Sequence, residues 1–280
     1  MTRQQGASID AYAVLGNPVS HSLSPGIHRS FAEQTQQAIS YEAIELPVDG
    51  FAAGLAELQE RGLRGANVTV PFKQQAWSIC DQLSPGARQA GAVNTLSFNA
   101  DGSIQGDNTD GIGLVRDLTV NLGLSLEQQK ILILGAGGAV RGVLGPLLEL
   151  SPERITIVNR TLEKARLLAQ EFTAQGEIRV SGYADLGGDK FDLIINATAA
   201  GLKNEIPPLA DAVLGNHSVC YDMVYNTLQP TTFVQWALTR GVTRAYDGLG
   251  MLVEQAAESF YIWRGFHTNT KKVIQSLRQA

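Results

Sequence analysis

Cysteine is nearly missing: the 280 residues hold only Cys80 and Cys220, far apart and each inside an apolar segment. Two such thiols make neither a disulfide framework nor a cysteine-based zinc site, so no metal centre is expected and a reducing cytoplasm is the natural setting. Charge is sparse too, at 18% of residues, with 22 Lys and Arg against 27 Asp and Glu for a net −5. No basic run stands out, and the electrostatic footprint of nucleic-acid or membrane-surface binding is absent. Long hydrophobic runs are also missing. The most apolar stretch, residues 140–150, is interrupted by Arg141, Pro146 and Glu149 and cannot span a bilayer. The first ten residues are polar and lack the apolar core of a signal peptide. These absences predict a soluble cytoplasmic protein with neither nucleic acid nor membrane as partner; the sequence leaves monomer and homodimer both open.

What is present is alternation. Hydrophobic residues make up 44% of the chain, as in ordinary globular proteins. Short apolar runs alternate with helical patterns, which predicts an α/β fold with largely parallel sheets. In the first half, strands read at 12–16, 41–46 and 66–70, and helices at 25–36, 51–61, 72–80 and 85–90. Segments 93–98 and 103–106 read as a hairpin turning at Asn99-Ala100-Asp101-Gly102. A helix at 110–121 and a polar linker at 125–129 precede a second α/β series. Its strands read at 131–134, 155–159, 178–180, 193–196, 219–221 and 244–246, and helices follow at 251–265 and 268–278. Two domains are expected: 1–109 completed by the C-terminal helices 249–280, and a Rossmann-like, doubly wound domain over 110–248.

The second series opens with the strongest local signal. The strand 131–134 runs straight into Gly135-Ala136-Gly137-Gly138-Ala139 and then a helical pattern. Glycines at that junction let backbone N–H groups approach a pyrophosphate, and the helix N-terminus adds favourable partial charge. Val140 stands where a third glycine would complete the usual fingerprint, and by itself the cluster also fits a mere tight turn. The next strand strengthens the dinucleotide reading. It ends at Asn159-Arg160-Thr161, close to the spacing of about 20 residues at which NAD enzymes place an acid on the ribose hydroxyl. A neutral amide followed by a cation, with Lys164 one turn further on, suits a 2′-phosphate instead. The cofactor reading is NADP.

Three polar segments carry candidate chemistry. In Gly16–Pro25, Ser24 before Pro25 reads as an N-cap, and the hydroxyls of Ser22 and Ser24 can hold a carboxylate. The same Ser-Pro start recurs at Ser84 and Ser151, so capping alone also explains it; His21 is read as structural. Asn67-Val68-Thr69-Val70-Pro71-Phe72-Lys73 places a lysine past a buried-looking strand, where α/β proteins put binding groups. Gly106–Gly111 packs Asp107, Thr109 and Asp110 before a helix. A lysine facing a carboxylate is useful chemistry, since the ammonium polarises a ketone and supplies a proton as hydride arrives. Spacing does not bring Lys73 to Asp110. Trp77, Trp236 and Trp263 are read as packing residues.

Taken in order, Asn67–Lys73, Gly91–Thr95, Gly106–Gly111, Gly135–Ala139, Asn159–Thr161, Asn196-Ala197-Thr198, Tyr221-Asp222-Met223 and Asp247–Met251 resemble the shikimate dehydrogenases. The resemblance runs from about Tyr12 to the last helices. It implies reversible NADPH-dependent reduction of 3-dehydroshikimate to shikimate, within aromatic amino-acid biosynthesis, in a cleft between the substrate domain and the NADP domain. It also implies that Ser22, Ser24 and Tyr225 bind the substrate carboxylate, and that Thr69, Asn94, Asp110 and Gln255 hold ring hydroxyls. Lys73 would be the acid/base with Asp110 as its partner. Gly135, Ala136, Gly137, Gly138, Ala139, Asn159, Arg160, Thr161 and Lys164 would bind NADP, with Met223 and Gly248 bordering the nicotinamide. Ala199-Ala200 departs from the Ser-Ser pair often found there, and Lys164 stands where arginine is frequent. The rival expectations are a quinate/shikimate dehydrogenase of relaxed specificity and a non-catalytic NADP-binding sensor.

Overall fold

The computed structural model describes residues 9–198 and 205–279. The chain divides into two compact units, 1–109 with 255–273 and 110–254 with 274–280. The C-terminal stretch is therefore shared out differently from the expected block at 249–280. Met251 belongs to an apolar core of the second unit, and Arg278 is paired with Asp247 there.

The first unit contains β1 (Asp10–Gly16), α1 (Ser24–Thr35), β2 (Ile39–Glu45), α2 (Phe51–Glu60), β3 (Leu63–Val68), α3 (Lys73–Ile79), β4 (Gln82–Leu83), α4 (Pro85–Ala90), β5 (Thr95–Phe98) and β6 (Ile104–Asp107). Its sheet runs β2-β1-β3-β5-β6-β4. The first three strands are parallel, and β5 is antiparallel to both β3 and β6. The predicted hairpin is β5–β6. Strand β3 stops two residues short of the predicted 66–70, because Thr69 N–H turns to Leu15 O and Phe72 N–H closes a turn onto Thr69 O. Ala13, Leu15, Ala66 and Val68 pack with Phe51, Leu55 and Phe72 of the helical layer in one apolar core. Trp77 is exposed on α3, not packed as expected; the buried residue of that helix is Ala76.

The second unit contains α5 (Asp110–Arg116), β7 (Lys130–Leu134), α6 (Gly138–Leu148), β8 (Arg154–Val158), α7 (Leu162–Phe172), β9 (Ile178–Ser181), β10 (Phe191–Asn196), β11 (Leu214–Asp222), α8 (Thr232–Leu238) and β12 (Arg244–Asp247). Helices α9 (Leu249–Arg264) and α10 (Thr270–Gln279) follow. The sheet is wholly parallel, in the order β12-β11-β10-β7-β8-β9. Period-2 alternation explains its near-continuous apolar strands: Ile131 and Ile133 enter one core while Leu132 and Leu134 enter the other. Each such burial stabilises by about 1.5–3 kcal/mol. From β7 the chain proceeds to β8 and β9 on one side, then starts again at β10 on the other. The β7/β10 boundary is the topological switch point at which open parallel sheets bind ligands.

The helix expected at 110–121 changes character midway. After Arg116 it becomes a π-helical turn, Asp117–Asn121, a local widening that re-aims side chains. Among the described residues no helix is long and apolar enough to cross a membrane.

Candidate active site

In the second unit, the segment after β7 is shaped by backbone demands. Gly135 has φ +111°, a region other residues rarely adopt, and a Cβ there would lie 3.2 Å from Ala197 O. Its N–H bonds to Val158 O at 2.7 Å, tying the loop to β8. Gly137 is the N-cap of α6, and a Cβ on Gly137 or Gly138 would meet nothing within 4 Å. These two glycines border open space at the start of an 11-residue helix. That combination fits a dinucleotide pyrophosphate, which needs bare backbone and unsatisfied N–H groups. Val140 is fully buried in the core, so the place of the third glycine is taken by a packing residue.

At the end of β8, Asn159 folds its amide onto Thr161 O at 2.8 Å. Arg160 and Lys164 are exposed, and Arg160 is near enough to Tyr183 to draw its burial-raised phenol pKa partly down. Two cations and no acid at this strand end suit a 2′-phosphate better than a free ribose hydroxyl. Across the switch point, Asn196 donates to Asp222 Oδ1 at 3.0 Å and accepts from Thr198 Oγ1 at 2.7 Å. Asp222 also receives the Thr231 hydroxyl at 2.6 Å, and burial pushes its carboxyl up to about 6. The neighbouring Met223 N–H bonds to Asn196 O, and Gly248 N–H to Val224 O. Gly248 has no room for a side chain, because its Cβ would collide with Met223 O. Tyr225 is half-buried, which raises its phenol pKa. The expected Ala199-Ala200 lies outside the described residues.

In the first unit a second set of candidates converges. Asn94 donates to Thr109 Oγ1 at 2.9 Å and to Gln255 Oε1 at 3.2 Å, and Thr109 N–H returns to Asn94 Oδ1 at 2.9 Å. All three residues are buried. Asn67, in the middle of a polar group that sequence reasoning passed over, donates to Asn94 O, Thr95 Oγ1 and Ser259 Oγ at 2.9–3.2 Å. Its only local signal is an amide within the buried stretch Gly65–Val68 of β3. Thr69 is half-buried at the end of β3. Its methyl lies 2.5 Å from where a Gly16 Cβ would stand, so this close approach requires glycine.

Lys73 is the first residue of α3, half-buried, and its carbonyl accepts Val93 N–H at 2.9 Å. Asp110, only 8% exposed, opens α5 in the second unit. A carboxylate in the first turn is favoured by the helix dipole. His21 is exposed.

Two of the expected caps fail. Leu23, not Ser24, is the N-cap of α1; Ser24 is buried at the first helical position, and its N–H goes to Ser22 Oγ at 3.3 Å. Ser151 has φ +54° and follows the end of α6, so Ser151-Pro152 starts no helix. The cap at Ser84 holds, accepting from Ala87 N–H at 3.2 Å.

Comparison with known proteins decides the family. The family model "Shikimate dehydrogenase substrate binding domain" matches residues 14–96, "Shikimate / quinate 5-dehydrogenase" matches 118–205, and "Shikimate 5'-dehydrogenase C-terminal domain" matches 248–278. The chain is 54% identical, over 96% of its length and 98% of the relative's, to a shikimate dehydrogenase (NADP(+)) of Alkalilimnicola ehrlichii. The chain belongs to the shikimate dehydrogenase family. Among solved structures, an Ael1 enzyme from Pseudomonas putida is 44% identical with a TM-score of 0.91, covering 96% of this chain and 98% of that one. A shikimate 5-dehydrogenase from Thermus thermophilus, in complex with NADP(H) and shikimate, is 34% identical with a TM-score of 0.86, covering 97% and 99%. The parallel sheet with its glycine loop belongs to one unit, and the buried amide and hydroxyl cluster to the other.

Proposed function

We propose that this chain is an NADP-dependent oxidoreductase acting on a CH–OH group, and that its reaction is the reversible reduction of 3-dehydroshikimate to shikimate. The observation that carries the cofactor choice is the end of β8, where Asn159 and the exposed Arg160 and Lys164 replace the acid of an NAD site. What supports the substrate choice is the neutral polar cluster of Asn94, Thr109 and Gln255. Such a site offers amide and hydroxyl groups to substrate hydroxyls, and an analogue lacking them forgoes those bonds.

When bound, the nicotinamide supplies the hydride. The residues of this chain do the rest. Gly135–Ala139 and the N-terminus of α6 hold the pyrophosphate; Asn159, Arg160, Thr161 and Lys164 hold the ribose phosphate; Met223 and Gly248 border the nicotinamide. Ser22, Ser24 and Tyr225 take the substrate carboxylate, and Thr69, Asn94, Asp110 and Gln255 its hydroxyls. Lys73 and Asp110 serve as the acid/base pair: in reduction a proton passes from the Lys73 ammonium to the carbonyl oxygen, and in oxidation it returns from the hydroxyl.

The enzyme works in the cytoplasm, on a small molecule, as a monomer or homodimer. Following absorbance of the reduced cofactor with shikimate or quinate, and NADP or NAD, tests the reading. Fastest turnover with shikimate and NADP is expected. Cofactor binding without turnover would leave a sensor instead.

A further inference from the structure

Strands β11 and β12 end level with each other, Asp222 opposite Asp247 in their parallel register. The chain leaving β11 carries Met223 and Tyr225, and the chain leaving β12 carries Gly248. Gly248 N–H joins the two by bonding to Val224 O at 3.1 Å. The Asp247 carboxylate adds a second link. Its Oδ2 accepts Asn226 N–H at 3.4 Å and its Oδ1 accepts Leu249 N–H at 3.2 Å. One side chain thus holds the residue after Tyr225 and the residue after Gly248.

That carboxylate is itself gripped from α10. Arg278 lies in the last turn of this helix, 31 residues further along the chain. Its Nη1 donates to Asp247 Oδ2 at 2.8 Å, and its Nη2 donates to Oδ1. Two side-by-side N–H···O bonds fix the plane of a carboxylate as well as its place, which a point-like ammonium does not. The Asp247 side chain is only 5% exposed, and a carboxylate so withdrawn from water needs a partner. Its charge also reaches Asp117 and Asp222, where it helps to raise both carboxyl pKa values. Arg278 brings a compensating positive charge into this acidic neighbourhood.

We infer that Arg278 is a positioning residue: by clamping Asp247 it holds the strand ends 223–226 and 247–249 together at the edge of the nicotinamide site. The inference rests on the proposed roles of Met223, Tyr225 and Gly248 in that site. Arg278 acts through Asp247 and not on the reacting atoms. Its effect therefore falls on the alignment of the nicotinamide for hydride transfer. The grip on the 2′-phosphate, assigned to the end of β8, stays as it is.

Arg278→Ala removes the fork and leaves the Asp247 carboxylate. When enzyme loaded with NADPH is rapidly mixed with 3-dehydroshikimate, the rate constant for cofactor oxidation should fall about tenfold, within the roughly hundredfold that a 1 Å misplacement can cost. Deuterium at C4 of the nicotinamide should slow the variant further, as hydride transfer requires. Arg278→Lys, with the charge but no fork, should fall between native and alanine. The KM for NADP should stay within about threefold of native. A role in stability alone would lower the amplitude and the melting midpoint and leave the rate constant untouched. A folded Arg278→Ala enzyme with the native rate constant therefore overturns the inference, whatever its amplitude, midpoint or KM. So does a slowed step that is indifferent to deuterium. If the alanine variant does not fold, the lysine variant carries the same test. A native enzyme that fails to oxidise shikimate with NADP defeats the functional reading instead, before any variant is made.

Discussion

Tyr221 donates its hydroxyl to Asp117 Oδ2 at 2.7 Å, and the carboxylate it meets lies against the backbone of Gly250. The pair joins the end of β11 to the π-helical turn, whose geometry aims Asp117 inward. Asn121 completes the arrangement by donating to both Asp117 and Glu254.

Gly250→Ala should therefore destabilise the second unit. The added methyl falls on the Asp117 carboxylate, and overpacking of this kind costs about 1–3 kcal/mol. Thermal melting should show the midpoint several degrees lower. An unchanged midpoint would mean that the carboxylate moves aside without loss and that this glycine has another reason to be there.

Lys73→Ala should lower kcat by roughly 10²–10⁴, the usual worth of a general acid or base. The KM for shikimate should change far less. Steady-state kinetics in both directions measure this, and near-native turnover would remove Lys73 from the proton pathway.

Cofactor choice should follow the end of β8. Arg160→Ala should raise the KM for NADP about tenfold or more, the worth of a charge-assisted hydrogen bond, and leave the KM for NAD nearly unchanged. Asn159→Asp should move preference toward NAD, because a carboxylate repels the 2′-phosphate and accepts from a free hydroxyl. Equal effects of either substitution on both cofactors would place the phosphate elsewhere.

Acid should act on the two units with opposite signs. Burial holds His28 down to about 3 against an ordinary 6.5. Below pH 6.5 the unfolded chain takes up the proton first, and the first unit loses stability as pH falls toward 3. Asp222 is the reverse, raised by burial from 3.8 to about 6. The folded second unit takes up that proton first and gains stability between pH 6 and 3.8. Each slope is at most ~1.4 kcal/mol per pH unit. Hydrogen exchange from pH 6.5 to 4 should show protection falling in the first unit and rising in the second. His28→Phe should flatten the first trend and Asp222→Asn the second. Trends that survive their own substitution would assign them to other groups.

Much of this was legible in the sequence because it is written in local chemistry. The run from Ile131 to Ala139 declares a strand, a glycine turn and a helix start through residue types alone. Asn159-Arg160 ends β8 with an amide and a cation and no acid, which is the ground of the proposed NADP preference. What escaped depends on partners distant in the chain. Ser24 looks like a cap, yet it lies buried inside α1, and Leu23 takes the cap position instead. Asn94 and Gln255 meet through topology that no periodicity encodes. Strand β4 has two residues, too few to register as alternation. The π-helical turn keeps the apolar spacing of an α-helix closely enough to be read as one.

The buried polar cluster of the first unit is built from amides and hydroxyls, whereas the end of β8 offers exposed guanidinium and ammonium groups to solvent. Mobile ions screen exposed charges beyond about 8–10 Å at moderate ionic strength and leave neutral hydrogen bonds almost untouched. Added salt should thus act as a selective lever if the proposed roles hold: the KM for NADP should rise with ionic strength while that for shikimate changes far less.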